Sequence, residues 1–386
     1  MRVLVAFDKF KGSIGAPEAC AVAARVIAGL GPAWRADCCP LTDGGDGFTG
    51  ILTKAAGGRE AALSVSGPRG APVKATIGIV AVDGIPRGAR ARFQAAGPGA
   101  SLAVVEMAAA SGLALLEPAQ RDPLRASSRG TGELIWAAAQ AGVQSVLLGV
   151  GGSATHDLGL GALGALGIGF ADGSGRPIDG IVPADFARLE RIGGRLVGPI
   201  PPVLIACDVD NPLLGPRGAA ALYGPQKGLR PADAAELERQ SVRVAELLCR
   251  HFGRPGDLAA QPGAGAAGGT AFGLMAAAGA TLVPGFELVA AWLDIEGRLA
   301  GADLLVTGEG RFDDTSLSGK GPGAVARMAL SLGMTVHVFA GQVALSRAIP
   351  GLVVHEITPS GMPMDEALAG APRLLESALR RALSGA

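Results

Sequence analysis

The chain has 386 residues, of which 49% are hydrophobic: too long for one ordinary core, and apolar enough for two. Lys plus Arg equals Asp plus Glu at 34 each, with no basic tract and no interleaving of basic and aromatic residues, which argues against a nucleic-acid partner. The five cysteines include the adjacent pair Cys38 and Cys39 but no C-x-x-C, a pattern that fits reduced, packed thiols in a cytoplasmic protein.

The opening MRVLVAFDKFKG reaches charge at Asp8, too early for the apolar region of a signal peptide. VLVAF has strand length, and APEACAVAARVIAGL after it has helical periodicity. RADCCPL followed by TDGGDGFTGILTKAA reads as a second βα unit. After Gly57 the texture changes: AALSVSG, VKATIGIV and SLAVVEMA look like half-buried antiparallel strands between Gly/Pro turns. From Gly130 the α/β pattern returns, with GELIWAAAQAG as helix, SVLLGV as strand, GLGALGALG as a small-residue helix and VLIACDV as a buried strand. DLLVTGE, a helix around AVARMALSL, TVHVFA and LVVHEIT close the chain. The uncharged stretches 134–155 and 262–286 have the length of membrane spans, but glycines and Gln140, Gln144 or Pro284 interrupt them. The style shared by the first and last elements predicts a discontinuous Rossmann-like parallel-sheet domain, 1–63 plus 287–386. A second α/β domain, 64–286, would be inserted in it.

GAGAAGG at 263–269 satisfies G-x-G-x-x-G, with Glu287 downstream where a ribose-binding acid would stand. The fingerprint needs a buried strand to feed the turn. Here HFGRPGDLAAQP precedes it, with charges and prolines, so a nicotinamide site is disfavoured.

Polar residues collect just beyond the predicted parallel strands: Asp8, Lys9 and Lys11; Asp43 and Asp46; Glu309, Arg311 and Asp313; Gly341 and Gln342. In an open parallel sheet those ends border the ligand crevice, although each acid could equally cap a following helix. In LLGVGGSATHDLG, Gly151 and Gly152 could let backbone N–H groups approach a phosphate. Ser153 and Thr155 would add donors, and the following helix its positive end. The alternative is a Ser or Thr N-cap. Asp208, Asp210 and Asn211 are hard oxygen ligands suited to Mg²⁺, or else a solvated turn. Lys227 on a Gly/Pro loop could neutralise phosphate. Walker, protein-kinase and G-x-S-x-G signatures are missing, and His156, His251, His337 and His355 lack metal-ligand spacing. His337 and His355, inside apolar strands, read as core residues.

AFDKFKGS, TDGGDG, EMAAASGLALL, RASSRGTGELI, GVGGSATHDLG, CDVDNPLLGPRGAA, YGPQKG, GAGAAGG and TGEGRFDDTSLSGK occur in that order. Together, from about residue 3 to 345, they resemble the bacterial glycerate kinase family, the type without a P-loop. The resemblance implies ATP- and Mg²⁺-dependent phosphorylation of D-glycerate, in most relatives to 2-phosphoglycerate, by two α/β domains with a cleft between them. The family usually has DGGEGT where this chain has Asp46 and Phe48, and Asn where it has His156. It also absorbs GAGAAGG, as a loop with tight helix packing. Phosphorylation of the 3-hydroxyl and NAD-dependent reduction of hydroxypyruvate are the competing readings.

Phosphoryl transfer needs alignment, charge neutralisation and a base. The expected triphosphate site is Gly151, Gly152, Ser153 and Thr155, with Lys227 or Lys320 on its oxygens. Asp208, Asp210 and Asn211 would hold Mg²⁺. Lys11 or Arg311 would take the glycerate carboxylate, with Asp46 and Glu309 beside the substrate. Asp43 is the first candidate for general base and Asp8 the second, with Lys11 close to the chemistry.

Overall fold

A computed structural model describes residues 1–92, 99–319 and 321–384. The strands are β1 (Arg2–Phe7), β2 (Arg35–Cys38), β3 (Arg59–Ser66), β4 (Pro72–Ala81), β5 (Ser101–Glu106), β6 (Ser145–Gly149) and β7 (Ile168–Ala171). They continue with β8 (Arg191–Gly194), β9 (Val203–Ala206), β10 (Thr281–Val283), β11 (Leu304–Asp313), β12 (Thr335–Ala344) and β13 (Leu352–Glu356). The class is mixed α/β, and parallel pairings predominate.

Two compact units divide the chain, Met1–Asp43 with Val289–Ala386, and Gly44–Leu288. In the first, a five-stranded parallel sheet runs β13-β12-β11-β1-β2. β1 has a strand on either side, and every residue from Val3 to Phe7 is fully buried, which is why its sequence is an unbroken apolar run rather than an alternation. Val3, Val5 and Phe7 pack with Ala23 and Ile27 of the helix Ala16–Gly29 and with Leu375 and Leu379 of the helix Met364–Leu383. Each such side chain is worth about 1.5–3 kcal/mol of burial.

The second unit carries a six-stranded mixed sheet, β10-β9-β6-β5-β4-β3. β3 is antiparallel to β4 and β4 to β5, as expected, but β5 is buried along nearly its whole length rather than half-buried, and β5, β6, β9 and β10 are parallel. Leu134 and Ile135 of the helix Arg129–Gln140 and Phe272 of the helix Ala266–Ala278 help fill its core.

Several expectations need adjustment. The helix Phe48–Ala55, paired in sequence with β2, instead packs on β4 and β5, and the division between units falls after Asp43 rather than near residue 63. The turn at 263–269 follows the 3₁₀ segment Gly256–Ala260, not a strand, so the dinucleotide fingerprint lacks its structural context. Cys38 is exposed rather than packed, and Cys207 is half-buried. His337 and His355 are half-buried, stacked on one another with Nδ1 and Nε2 3.1 Å apart. Among the described residues, no helix is long and apolar enough to cross a membrane.

Candidate active site

In the first unit the chain leaves β1 through Asp8 and Lys9, and the far end of β11 carries Glu309, Arg311 and Asp313. Parallel pairing sets these ends side by side, with Phe7 opposite Gly308 and Arg311 opposite Gln342 of β12. Asp8, Lys9, Lys11, Asp43, Glu309, Arg311 and Gln342 thereby line one cavity of about 390 Å³. Lys9 holds the acids together: its Nζ lies 2.9 Å from Asp43 Oδ1 and 3.6 Å from Asp8 Oδ1.

Burial pushes the Asp8 carboxyl up to about 6; Lys9 opposes the shift and Asp43 adds to it. Burial likewise pushes Glu309 up to about 7, a hydrogen bond from Ser316 opposing, with Asp8, Asp313 and Asp43 reinforcing. Both carboxyls therefore change protonation near neutrality, the condition for moving a proton at physiological pH. Arg311 Nε donates to Asp313 Oδ2 at 3.1 Å, and the side chain is otherwise open to solvent.

In the second unit, Gly151 N–H donates to Gly44 O at 3.0 Å. A Cβ on Gly151 would lie 2.8 Å from Gly45 N, so the TDGGDG and GVGG loops touch only because both are glycine-rich. The crossing brings Asp46 beside Gly152. Gly152 is exposed, Gly151 half-buried, and Ser153 is 8% exposed. Thr155 and Lys227 lie deeper, at 0% and 3%. Lys227 Nζ donates to Ser153 Oγ at 2.9 Å and to Thr155 O at 2.7 Å, so the ammonium buttresses the loop from behind rather than reaching outward. Burial pulls its pKa down to about 7, and Asp157 opposes that shift.

Asp157 accounts for another difference. Its buried carboxylate accepts from Ser128 N (2.7 Å), Ser128 Oγ (2.8 Å), Gly159 N (3.2 Å) and Gly161 N (3.1 Å). The N-terminus of the following helix, Leu160–Ala165, is thus already satisfied, and its positive end is not offered to a phosphate. Behind the loop, Ala267, Gly268 and Gly269 adopt left-handed φ of 55°, 64° and 84°, and a Cβ on Gly268 would fall 2.1 Å from Thr155 O. The decoy glycines buttress this loop.

The expected metal ligands diverge. Both Asp208 oxygens accept from Phe286 N at 3.0 Å, and exposed Asp210 pairs with Arg217 at 3.5 Å. Asn211 is 1% exposed, donating to Pro212 O at 3.1 Å, and its Oδ1 has no hydrogen-bond partner among the described residues. Among the described residues, no cluster of three or more His, Cys, Asp or Glu is placed to hold a metal. Lys320 lies outside the described residues.

The sequence pattern thus pointed to Asp8, Lys11, Asp43, Glu309 and Arg311 of the first-unit cavity, but it put Asp46 with them, which lies in the second unit beside Gly152, and it gave Lys9 no role, because DKFK does not reveal which lysine turns inward. It overlooked Asp157 and Ser128, whose only signal was an acid ahead of a small-residue helix.

The glycerate kinase family pattern matches residues 3–384. A glycerate kinase of Halalkalibacterium halodurans is 37% identical over 98% of this chain and 96% of its own length. Glycerate 2-kinase of Escherichia coli K12 is 36% identical over 89% and 86%. A crystal structure from Salmonella typhimurium LT2, given the name glycerate kinase 2, superposes with a TM-score of 0.74 at 35% identity, covering 99% of this chain and 97% of that one. The chain belongs to the glycerate kinase family.

Proposed function

We propose that the chain transfers the γ-phosphoryl group of ATP to the 2-hydroxyl of D-glycerate, in the presence of Mg²⁺, giving 2-phosphoglycerate. The observation that carries the reading is the convergence of Asp8, Lys9, Lys11, Asp43, Glu309 and Arg311 on one cavity at the carboxyl ends of a parallel sheet. The name of the Escherichia coli relative supports the 2-position.

Lys11 and Arg311 hold the single carboxylate of glycerate, the arginine fork offering the better geometry. Asp8 accepts the proton of the attacking hydroxyl: it is nearly buried and titrates near 6, whereas Asp43 is committed to Lys9. Asp43 then serves by fixing Lys9, and Glu309, titrating near 7, donates or accepts a hydrogen bond at the substrate hydroxyls. In the second unit the loop around Gly151, Gly152 and Ser153, flanked by Asp46, has the chemistry to bind phosphates, with Thr155 and Lys227 behind it. The chemistry Mg²⁺ would supply, when bound, is charge neutralisation at the phosphate oxygens. Asp208, Asp210 and Asn211 do not fit as a protein cage for it, in keeping with the general habit of Mg²⁺ to ride on phosphates with one or two carboxylates.

Incubation with ATP, Mg²⁺ and D-glycerate tests the reading: ADP is released and ³¹P–¹H coupling places the phosphate on C2. Absence of glycerate-dependent ADP release overturns it.

A further inference from the structure

The cavity of the first unit is chemically two-sided. Its charged part lies at the strand ends, and much of the remaining lining is apolar: Phe10, Ile357, Met364, Ala367, Leu368 and Ala371. Four of these, Met364, Ala367, Leu368 and Ala371, stand at i, i+3, i+4 and i+7 of the helix Met364–Leu383 and so form one face of it. The helix is anchored there, since Ser13 Oγ donates to Leu368 O at 2.7 Å. Ala367 and Ala371 are small and nearly buried, which leaves space above them. Met364 stays 57% exposed, an unusual state for a large apolar side chain beside a polar site.

Glycerate does not use this surface. Every one of its carbons bears oxygen, and it presents no apolar group to a hydrocarbon wall. A cavity near 390 Å³ is also in the range that takes ligands several times larger. The charges limit what such a ligand can be. Lys9 is committed to Asp43 and Asp8, which leaves Lys11 and Arg311 against a ligand anion while Glu309 and Asp313 stand nearby. That balance suits one carboxylate and opposes a triphosphate.

We propose that this cavity accepts 2,3-dihydroxy acids longer than glycerate, whose apolar substituent beyond C3 lies on the wall of Ile357, Met364, Leu368 and Ala371. The inference rests on the acceptor reading given above and specifies its substrate class. The reacting end is unchanged. The 2-oxygen bonds to the γ-phosphorus of ATP, the bond from that phosphorus to the bridging oxygen breaks to release ADP, and the hydroxyl proton passes to Asp8.

Initial rates with ATP and Mg²⁺ are compared for D-glycerate, 2,3-dihydroxybutanoate and 2,3-dihydroxypentanoate, with products identified by ³¹P NMR. Each added carbon should raise kcat/KM by about threefold to fourfold, the gain from burying one CH₂. Met364→Ser, at an exposed position where folding is not at stake, should reverse that gain and leave glycerate turnover within about twofold. Ala371→Leu, which fills the space, should discriminate against the pentanoate in the same way. A tenfold or greater fall in kcat/KM per added carbon overturns the proposal. So do an equal loss on all three acids in Met364→Ser, and a rise confined to the KM for ATP, which would give the wall to the donor's base. Glycerate turnover reports on the reaction and the ratio between acids reports on the wall, so the two readings fail separately.

Discussion

Replacing Lys227 by Met removes the buried ammonium while keeping an unbranched side chain of similar length. In the folded chain that group donates to Ser153 Oγ and Thr155 O, and burial lowers its pKa from 10.5 to about 7. In the unfolded chain the amine titrates near 10.4. Between those values the unfolded state holds a proton that the folded state has released, so wild-type stability rises with pH across roughly 7 to 10.5, by up to about 1.4 kcal/mol per pH unit. Methionine contributes no such slope. Near pH 7 the variant should therefore lose little, because the wild type there carries the cost of a desolvated charge. Near pH 9 it should lose about 2 kcal/mol, two hydrogen bonds at roughly 1 kcal/mol each. His156, held down at about 3 by burial and then by Lys227, contributes a slope only below its unfolded value near 6.5, so the comparison is read from pH 7 upward. Asp157 faces the same interior with its pKa raised by burial, and repeating the series in an Asp157→Asn background separates its titration from that of the lysine. Urea unfolding of both proteins at half-unit intervals from pH 7 to 9.5 measures the difference. A difference that stays flat, or shrinks as pH rises, refutes the reasoning.

Asp8→Asn should lower kcat by about 100-fold or more, the scale of general-base loss. In the wild type kcat/KM for glycerate should rise with pH through about 6, as the carboxyl gives up its proton, and the variant should lack that limb. A larger loss in Asp43→Asn than in Asp8→Asn would return the base to Asp43. Lys11→Ala should raise the KM for glycerate by about tenfold, one charge-assisted hydrogen bond; a change confined to the KM for ATP would move Lys11 to the nucleotide. Asp157→Asn replaces an acceptor of four hydrogen bonds by a group with two donors and should cost about 3–5 kcal/mol in denaturant melts. A loss below about 1 kcal/mol would show that this network does not hold the 151–161 segment.

The parallel strands were legible because burial on both faces writes an unbroken apolar run, as in VLVAF, and the antiparallel β3 and β4 because half-burial writes an alternation. The first-unit cavity was legible for a related reason: the ends of adjacent parallel strands must be neighbours, so charges placed there must meet. Local pattern could not reveal what each polar side chain does once neighbours distant in sequence arrive. Lys227 looked like a free cation on a Gly/Pro loop, but it is buried under a loop about 70 residues earlier. Asp208 and Asp210 are two residues apart and look equivalent. One accepts from Phe286 N, while the other is exposed beside Arg217. GAGAAGG matched a nucleotide motif in spelling alone, because the pattern records where glycine is needed and not whether a ligand or Thr155 O requires it.

The order β13-β12-β11-β1-β2 carries a consequence for the newborn polypeptide. β1 leaves the ribosome well ahead of the neighbour it needs at Leu304–Asp313, which emerges only after the whole of Gly44–Leu288 has been translated. At typical elongation speeds that wait lasts about ten to fifty seconds. Throughout it, the segment VLVAF has an unpaired flank and a sticky, wholly apolar composition, which makes it a natural target for holding chaperones and the place where aggregation during overexpression should begin.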